Sequence, residues 1–511
     1  MFNTRVLTML ITIVVYLVAM VAIGAWASKK NKSTDDFYLG GRKLGPFVTA
    51  MSAEASDMSS WLLMGLPGVA LIAGLPEATW TAIGLAVGTY LNWLLVAKRL
   101  RHYTHHIGAI TVPEFFSKRY KDDKHILSLI AAVVIIVFFI PYTASGFNAC
   151  GTLFSTLFGI DYFTAMIFSA IVIVAYCAMG GFLAASTTDL IQSIVMTIAL
   201  IIVVGFGIST AGGWDSVIAN AQSLPGYLSL TQGYDAATGG AASYSGLTIF
   251  STLAWGLGYF GMPHILLRFM AIENPQKLKL SRRVASVWVV IAMAVAIFIG
   301  IVGNAMIASG ALEALDSSNS QRIILKIAEL ISQHGVLAAV VAGLILSGIL
   351  ASTMSTADSQ LITAASSVTQ DLLRDTLGVK VSDKMSMVIA RLAVIVISII
   401  AMIWAKDEGS VFYIVSFAWA GFGGAFGPVV LLALFWKKSN KWGALSGMIA
   451  GGAMVFIWKY AIAPMGGLWA IYELLPAFII GLVVNVVVSL ATGAPDQEVM
   501  AQFDEVAAMK E

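Results

Sequence analysis

Apolar runs of membrane-crossing length alternate with short polar stretches along almost the whole chain. The pattern predicts helical spans at about 6–27, 46–74, 76–97, 126–150, 162–181, 188–209, 246–270, 284–308, 336–365, 386–404, 410–435, 443–464 and 473–492, thirteen in all. Cations fall in every second loop. They are Lys29, Lys30, Lys32, Arg42 and Lys43, then a group from Lys98 to Lys124, a third from Lys277 to Arg283, then Arg374, Lys380 and Lys384, and finally Lys437, Lys438 and Lys441. By the positive-inside rule these loops are cytoplasmic, which with an odd span count puts the N-terminus outside and the C-terminus inside. Ala25-Trp26-Ala27 mimics a cleavage site, but the run before it is too long for a signal peptide and reads as an uncleaved first span.

Three stretches outside the spans have their own character. The segment 210–245 is rich in Gly, Ala and Ser without Lys or Arg, as an external loop would be. Residues 318–333 repeat apolar positions at helical spacing and predict a short surface helix, a candidate lid. The mildly acidic tail, 493–511, reads as a solvated cytoplasmic end.

Composition agrees with the pattern and removes other classes. Of 511 residues 59% are apolar and 11% charged, against about a quarter charged in soluble domains, so the fold class is an all-α polytopic membrane protein embedded in a lipid bilayer. A formal net charge of +2 offers no face for nucleic acid. Cys150 and Cys177 lie in or beside apolar runs without metal or redox spacing and read as packing residues. Walker A, HExxH, GxSxG and Rossmann glycine patterns are missing, which argues against ATP-driven transport and against an enzyme. Nothing in the sequence calls for an obligatory protein partner.

The chemistry lies where spans break their own rules. Ser52-Ala53-Glu54-Ala55-Ser56-Asp57-Met58-Ser59-Ser60-Trp61 places two acids and many small polar residues inside the second span, where a carboxylate costs roughly 3 kcal/mol or more. That composition suits an unwound helix whose freed carbonyls line a cavity; a continuous helix with serines bonding back to the previous turn is the alternative. In the seventh span, Trp255-Gly256-Leu257-Gly258-Tyr259-Phe260-Gly261-Met262-Pro263-His264 has three glycines and a proline at its centre. Trp255 and Tyr259 share one face there, as a binding wall or as ordinary aromatic packing. The two interruptions are five spans apart, the spacing of paired broken helices in inverted repeats of opposite orientation. In the ninth span Ser352, Ser355 and Thr356 fall on one helix face and offer neutral oxygens, a set that suits a monovalent hard cation such as sodium. Close helix approach through small residues is the alternative.

Leu39-Gly40-Gly41-Arg42, Ala55-Ser56-Asp57-Met58-Ser59, Gly65-Leu66-Pro67-Gly68, Trp255-Gly256-Leu257-Gly258-Tyr259-Phe260-Gly261, Met354-Ser355-Thr356 and Ala418-Trp419-Ala420-Gly421-Phe422-Gly423 resemble the sodium/solute symporter family over nearly the whole chain, and its proline-carrying branch most of all. The resemblance implies about thirteen transmembrane helices, a leucine-transporter-type 5+5 inverted-repeat core, and inward symport of L-proline with Na+ by alternating access. It implies that sodium is held by the carbonyls of Ala55, Met58 and Ser352 and the hydroxyls of Ser355 and Thr356, and that Asp57 serves coupling. Ser59, Ser60, Tyr142, Trp255, Tyr259 and Pro263 would line the substrate. Asp189 matches an acid on the ion exit path, or caps the sixth span; Arg42 matches an arginine at the inner mouth, or is a plain positive-inside anchor. Asp358 serves a second ion or the exit path, or is a solvated vestibule residue. Glu54 stands where the family usually has a small residue and Ser60 where glycine is usual. The implied organisation is a first helix and loop (1–45), a five-helix repeat (46–209), an external loop (210–245), a second repeat (246–435), two accessory helices (436–492) and the tail. A symporter for a carboxylate or another amino acid, and a solute-binding membrane sensor, are the rival functions.

Overall fold

The computed structural model describes residues 3–29 and 33–509; Lys30 and Lys32 lie outside the described residues. Among the described residues eleven helices are long and apolar enough to cross a membrane: Thr4–Trp26, Pro46–Ala73, Leu75–His106, Ile126–Phe158, Gly181–Thr210, Pro275–Ala308, Val336–Thr376, Asp383–Trp404, Val411–Phe435, Lys441–Met465 and Leu474–Ala491. The two other predicted spans take different forms. Tyr162–Ala178 is a shorter apolar helix, and the seventh span is broken into Gly246–Leu253, Ala254–Gly261 and Pro263–Ala271.

One boundary moves for a definite reason. The sixth span begins at Gly181 rather than near residue 188, because Gly181 takes φ 68°, a conformation that costs glycine nothing. The polar run Ser186-Thr187-Thr188, which imitates a helix start, continues the helix instead. Thr187 and Thr188 donate to the carbonyls of Leu183 and Ala184, at 2.7 and 3.1 Å.

Burial sorts the helices into inner and outer sets. In the first span Met9, Ile13, Tyr16 and Met20 are buried at helical spacing while Leu7, Ile11, Val15 and Val18 are exposed, the signature of a helix with protein on one side and lipid on the other. The second and eleventh spans are 89% buried over their central windows. Enclosure by protein is what permits irregular backbone at membrane depth, since freed polar groups find partners there rather than lipid.

Outside the spans the structure is more ordered than the sequence suggested. The segment 210–245 carries a helix, Trp214–Ser223, and a hairpin, Gln232–Asp235 with Gly240–Ser243. The hairpin turn is held by Asp235, which accepts from the Ala237 amide and the Thr238 hydroxyl. The segment at 318–333 folds as Ser320–Arg322 followed by Ile323–Ser332, but it is embedded rather than superficial, with Ile323, Ile324, Leu325, Ile327 and Ala328 all buried. Gln321 bridges to the start of the eleventh span, donating to the Gly409 carbonyl and accepting from the Val411 amide.

The tail is not a solvated end. Gln497–Ala508 is a helix whose Val499, Phe503 and Val506 are buried, with the Phe503 ring 4.9 Å from the Arg99 guanidinium and 5.2 Å from that of Arg119. Its apolar positions recur at i, i+4 and i+7, so one face docks and the acidic face stays wet. Cys150 and Cys177 are buried free thiols.

Candidate functional site

The second span breaks at Ser59, which takes φ 43° and ψ −171°, a conformation rare for any residue but glycine. Its hydroxyl compensates in part by accepting from the Trp61 amide at 3.1 Å, and a π turn, Trp61–Gly65, follows. The seventh span runs as a 3₁₀ helix through Ala254–Gly261, passes through extended Met262, and restarts with Pro263 in the first turn of Pro263–Ala271. Proline lacks an amide hydrogen that would go unpaired there, so it suits a helix restart.

The two breaks meet. The Tyr259 hydroxyl donates to the Asp57 carboxylate, and the Tyr142 hydroxyl donates to the Asp57 carbonyl at 3.1 Å. The Trp61 and Trp255 rings lie 5.6 Å apart, and Trp255 stacks on Tyr472 at 5.2 Å and 27°. Asn92 donates to the Tyr259 carbonyl at 3.0 Å, and the Trp419 indole to the Trp255 carbonyl at 2.7 Å. The structure therefore gathers Asp57, Ser59, Tyr142, Trp255 and Tyr259 into one buried, aromatic-walled region. Ser60 is fully buried and its hydroxyl has no protein partner; Pro263 supports the region by starting the inner half-helix. Phe412, Trp419 and Tyr472 belong to the same wall and were not assigned to it from the sequence: Phe412 and Trp419 come from the eleventh span, which has no break to mark it, and Tyr472 from the segment just before the last span.

An oxygen cluster joins the second span to the ninth. The Ser355 hydroxyl is 2.8 Å from the Ala55 carbonyl and 3.2 Å from that of Ser352; the Thr356 hydroxyl is 3.4 and 3.1 Å from the same two. Four of the five residues assigned to the ion are thus brought together. The fifth, Met58, is buried one residue before the break, and its carbonyl accepts from the Trp61 amide on its own span. All the converging atoms are neutral oxygens, the ligand set of a monovalent hard cation.

One helical turn along the ninth span, at Ser359, is an ionic network. Arg268 Nη2 lies 3.2 Å from Asp189 Oδ2 and 2.5 Å from the Ser359 hydroxyl, and its Nε donates to the Ser52 hydroxyl, which itself donates to Asp189 at 2.6 Å. Ser359 also donates to Asp358 at 3.1 Å. Asp189 is in the body of the sixth span, so it is no helix cap, and Asp358 is buried, so it is no solvated vestibule residue. Arg268 was not singled out from the sequence. A lone arginine inside the predicted seventh span, which has no carboxylate of its own to pair with, is the signal that was available.

Arg42 sits apart from these groups. It donates to the carbonyls of Met270, Thr104 and Ala109 at 2.8, 3.2 and 2.6 Å, tying the C-terminal ends of the third and seventh spans together. Burial, and then the nearby Arg101, push its guanidinium down to about 10, which leaves it cationic at neutral pH. Glu54 is buried beside the break, one oxygen accepting from the Trp93 indole at 3.1 Å and the other without a protein partner.

With this geometry in place, comparison with known proteins defines the class. The Sodium:solute symporter family profile matches residues 37–451, and the chain belongs to that family, a family of multi-pass membrane transporters. It is 40% identical over 490 residues to the osmoregulated proline transporter OpuE of Bacillus subtilis (strain 168), covering 95% of each chain. It is also 40% identical over 501 residues to the sodium/proline symporter of Escherichia coli (strain K12), covering 97% of this chain and 96% of that protein. Among solved structures it resembles the substrate-bound outward-open state of a Na+-coupled sialic acid symporter, with a TM-score of 0.77 at 18% identity over 96% of this chain and 99% of that one. A nucleobase-cation-symport-1 family transporter in a closed conformation gives a TM-score of 0.54 at 12% identity, over 93% and 99%. These likenesses establish a leucine-transporter-type fold.

Proposed function

We propose that this protein is a sodium-coupled symporter that moves L-proline into the cell across the bacterial inner membrane by alternating access, without covalent chemistry. The observation that carries the reading is the meeting of two broken spans at Asp57, directly above an oxygen cluster shared by Ala55, Ser352, Ser355 and Thr356. Sodium is the cargo of that cluster, with the Met58 carbonyl turning in to complete it. Ion binding replaces the hydroxyl-to-carbonyl hydrogen bonds and draws the second span to the ninth, which favours the substrate-ready state. Asp57, held by Tyr259, transmits ion occupancy to the substrate region. Proline needs apolar and aromatic walls for its ring and polar groups for its ends; Tyr142, Trp255 and Tyr259 supply the first, Ser59 and Ser60 the second, at the half-helix that Pro263 begins.

Asp189 and Asp358 lie on the inward path of the ion, with Arg268 holding Asp189 in place, and Arg42 locks the inner ends of the spans. The repeats are assigned to 46–209 and 246–435, with 1–45, 210–245, 436–492 and 493–511 as flanking parts, the N-terminus outside and the C-terminus cytoplasmic. In a second reading, symport of another small solute, the Ser60 hydroxyl, which has no protein partner, serves a polar substituent that proline lacks instead of an end of proline.

The test is uptake of labelled L-proline into proteoliposomes under an inward sodium gradient, against potassium and proton gradients, with unlabelled solutes as competitors. Accumulation driven by sodium alone and blocked chiefly by proline is the expected result. Binding without accumulation would make the protein a sensor, and sodium-driven uptake blocked better by a hydroxylated or acyclic solute would reassign the substrate.

A further inference from the structure

A second pocket lies away from the transport site, at the cation-bearing end of the molecule. Between the third span and the start of Pro275–Ala308 is a hollow of about 280 Å³ whose polar rim is Lys98, Lys279 and Arg282 and whose apolar floor includes Trp93, Leu94 and Leu278. Among the described residues no carboxylate lines it, and the neighbouring Glu273 is engaged by Lys277 at 2.7 Å. The Arg282 guanidinium lies over the Tyr90 ring at 5.3 Å, and its buried Nε has no protein acceptor. Val87, Tyr90 and Leu94, at i, i+3 and i+7, are exposed along one face of the third span and lead from the hollow toward the membrane middle. Three cations above an apolar track at the membrane boundary have the chemistry of an anionic headgroup with an attached acyl chain.

The floor of this hollow is tied to the broken spans. Asn92–Val96 forms a π turn, an irregularity that often marks a functional position, and it sets Trp93 inward from the hollow. There the Trp93 indole donates to Glu54 in the second span, and its ring packs edge-on against Phe269 of the seventh at 4.5 Å and 61°. One side chain therefore touches the hollow and both of the spans that carry the site.

We infer that this hollow is a binding site for an anionic phospholipid, and that its occupancy acts on transport through Trp93. The phosphate is held by Lys279 and Arg282 with Lys98 adding charge, and an acyl chain follows Val87, Tyr90 and Leu94. A phosphate resting on Trp93 stiffens its contacts with Glu54 and Phe269 in one state of the cycle more than in the other, which is the differential interaction that coupling requires.

The site is tested on the full chain by native mass spectrometry after mixing with phosphatidylglycerol or phosphatidylcholine of matched chains, which reads lipid retention whatever the transported solute is. The wild type is expected to retain one phosphatidylglycerol at least fivefold over phosphatidylcholine. Lys279→Gln/Arg282→Gln should abolish that preference, and Leu94→Trp should weaken it by filling the hollow without changing charge. Lys380→Gln/Lys384→Gln, which removes as many cations from the same end of the molecule, should leave it intact. Equal losses in this last variant would reduce the effect to general charge attraction and overturn the site, and displacement by millimolar inorganic phosphate would reassign it to a free anion. Trp93→Phe should keep the lipid but lose at least half of the stimulation of uptake by phosphatidylglycerol; unchanged stimulation would overturn the coupling through Trp93.

Discussion

Arg268 and Asp189 are buried together, Nη2 to Oδ2 at 3.2 Å, although 79 residues separate them in the chain. Two charges taken out of water attract one another strongly only when their other hydrogen-bonding positions are filled, and Ser52 and Ser359 fill several of them. The network thus ties the inner half of the seventh span to the second, sixth and ninth.

Removing one partner of such a pair strands the other. Arg268→Gln should therefore destabilise the protein by about 3–5 kcal/mol, since Asp189 and Asp358 lose their shared cation. Arg268→Met with Asp189→Leu removes both charges and should recover more than half of that loss, with transport still abolished. Thermal unfolding of the detergent-purified variants measures both. A double variant as unstable as the single one would mean that the network, rather than the stranded charge, sets the cost.

The oxygen cluster makes a separable prediction. Ser355→Ala or Thr356→Val removes one hydroxyl from the proposed ion site, which has few ligands, so the apparent sodium constant should rise at least tenfold, about 1.4 kcal/mol. Stability should change little, because each hydroxyl donates only to carbonyls that already belong to helices. Thr356→Ser keeps the oxygen and should stay within threefold of the wild type in sodium-titrated uptake. Equal effects of the Val and Ser variants would point to packing instead.

Ser59 carries two opposed contributions. Its positive φ is strained for a side chain, while its hydroxyl holds the Trp61 amide. Glycine relieves the strain and loses the hydrogen bond, two effects of about 1 kcal/mol each, so Ser59→Gly should be close to neutral in melting temperature. Ser59→Ala keeps the strain and loses the bond, and should be the less stable of the two by about 1 kcal/mol. Equal melting temperatures would show that the break carries no strain.

Why some of this was readable in advance follows from what each feature depends on. Span positions and both breaks follow local composition: three glycines before a proline weaken a helix wherever the chain goes, and the carboxylate pair among serines marks the second span, although that helix runs regularly through Met58, with Ser56 bonding back to Ala53, and departs only at Ser59. The hydroxyl face at Ser352, Ser355 and Thr356 follows from helical periodicity alone. Arg268 could not be matched to Asp189 that way, because its partner is set by how helices pack. The docked tail was missed for the same reason, since Phe503 finds its arginines only after Arg99 and Arg119 have been brought side by side. The sixth span's start was misread because threonines bonding back into a helix look, in sequence, like threonines beginning one.

Gly258 tests the fit between the seventh and eleventh spans. A Cβ at this position would stand 1.9 Å from the Trp419 indole nitrogen, which now donates to the Trp255 carbonyl. The neighbour is a rigid buried ring that cannot step aside. Gly258→Ala should cost at least 1–3 kcal/mol by overpacking and displace Trp255, seen as low yield of folded protein and a raised apparent proline constant in what remains. Normal yield and affinity would show that the two spans separate easily at this point.

Tyr259→Phe isolates the link between ion and substrate regions. The ring would keep its edge-on packing against Trp419, 5.0 Å away at 88°, so the wall is preserved while the donor to Asp57 is lost. A buried carboxylate without its donor is disfavoured by about 1–3 kcal/mol, which corresponds to roughly five- to more than a hundredfold in binding. Because the hydroxyl faces Asp57, the loss should appear first in the apparent sodium constant, with the proline constant at saturating sodium moving less than threefold. Sodium and proline titrations of uptake in the same vesicles separate the two. If the proline constant moves and the sodium constant does not, the Tyr259 hydroxyl serves the substrate directly, and Asp57 reaches it by another route.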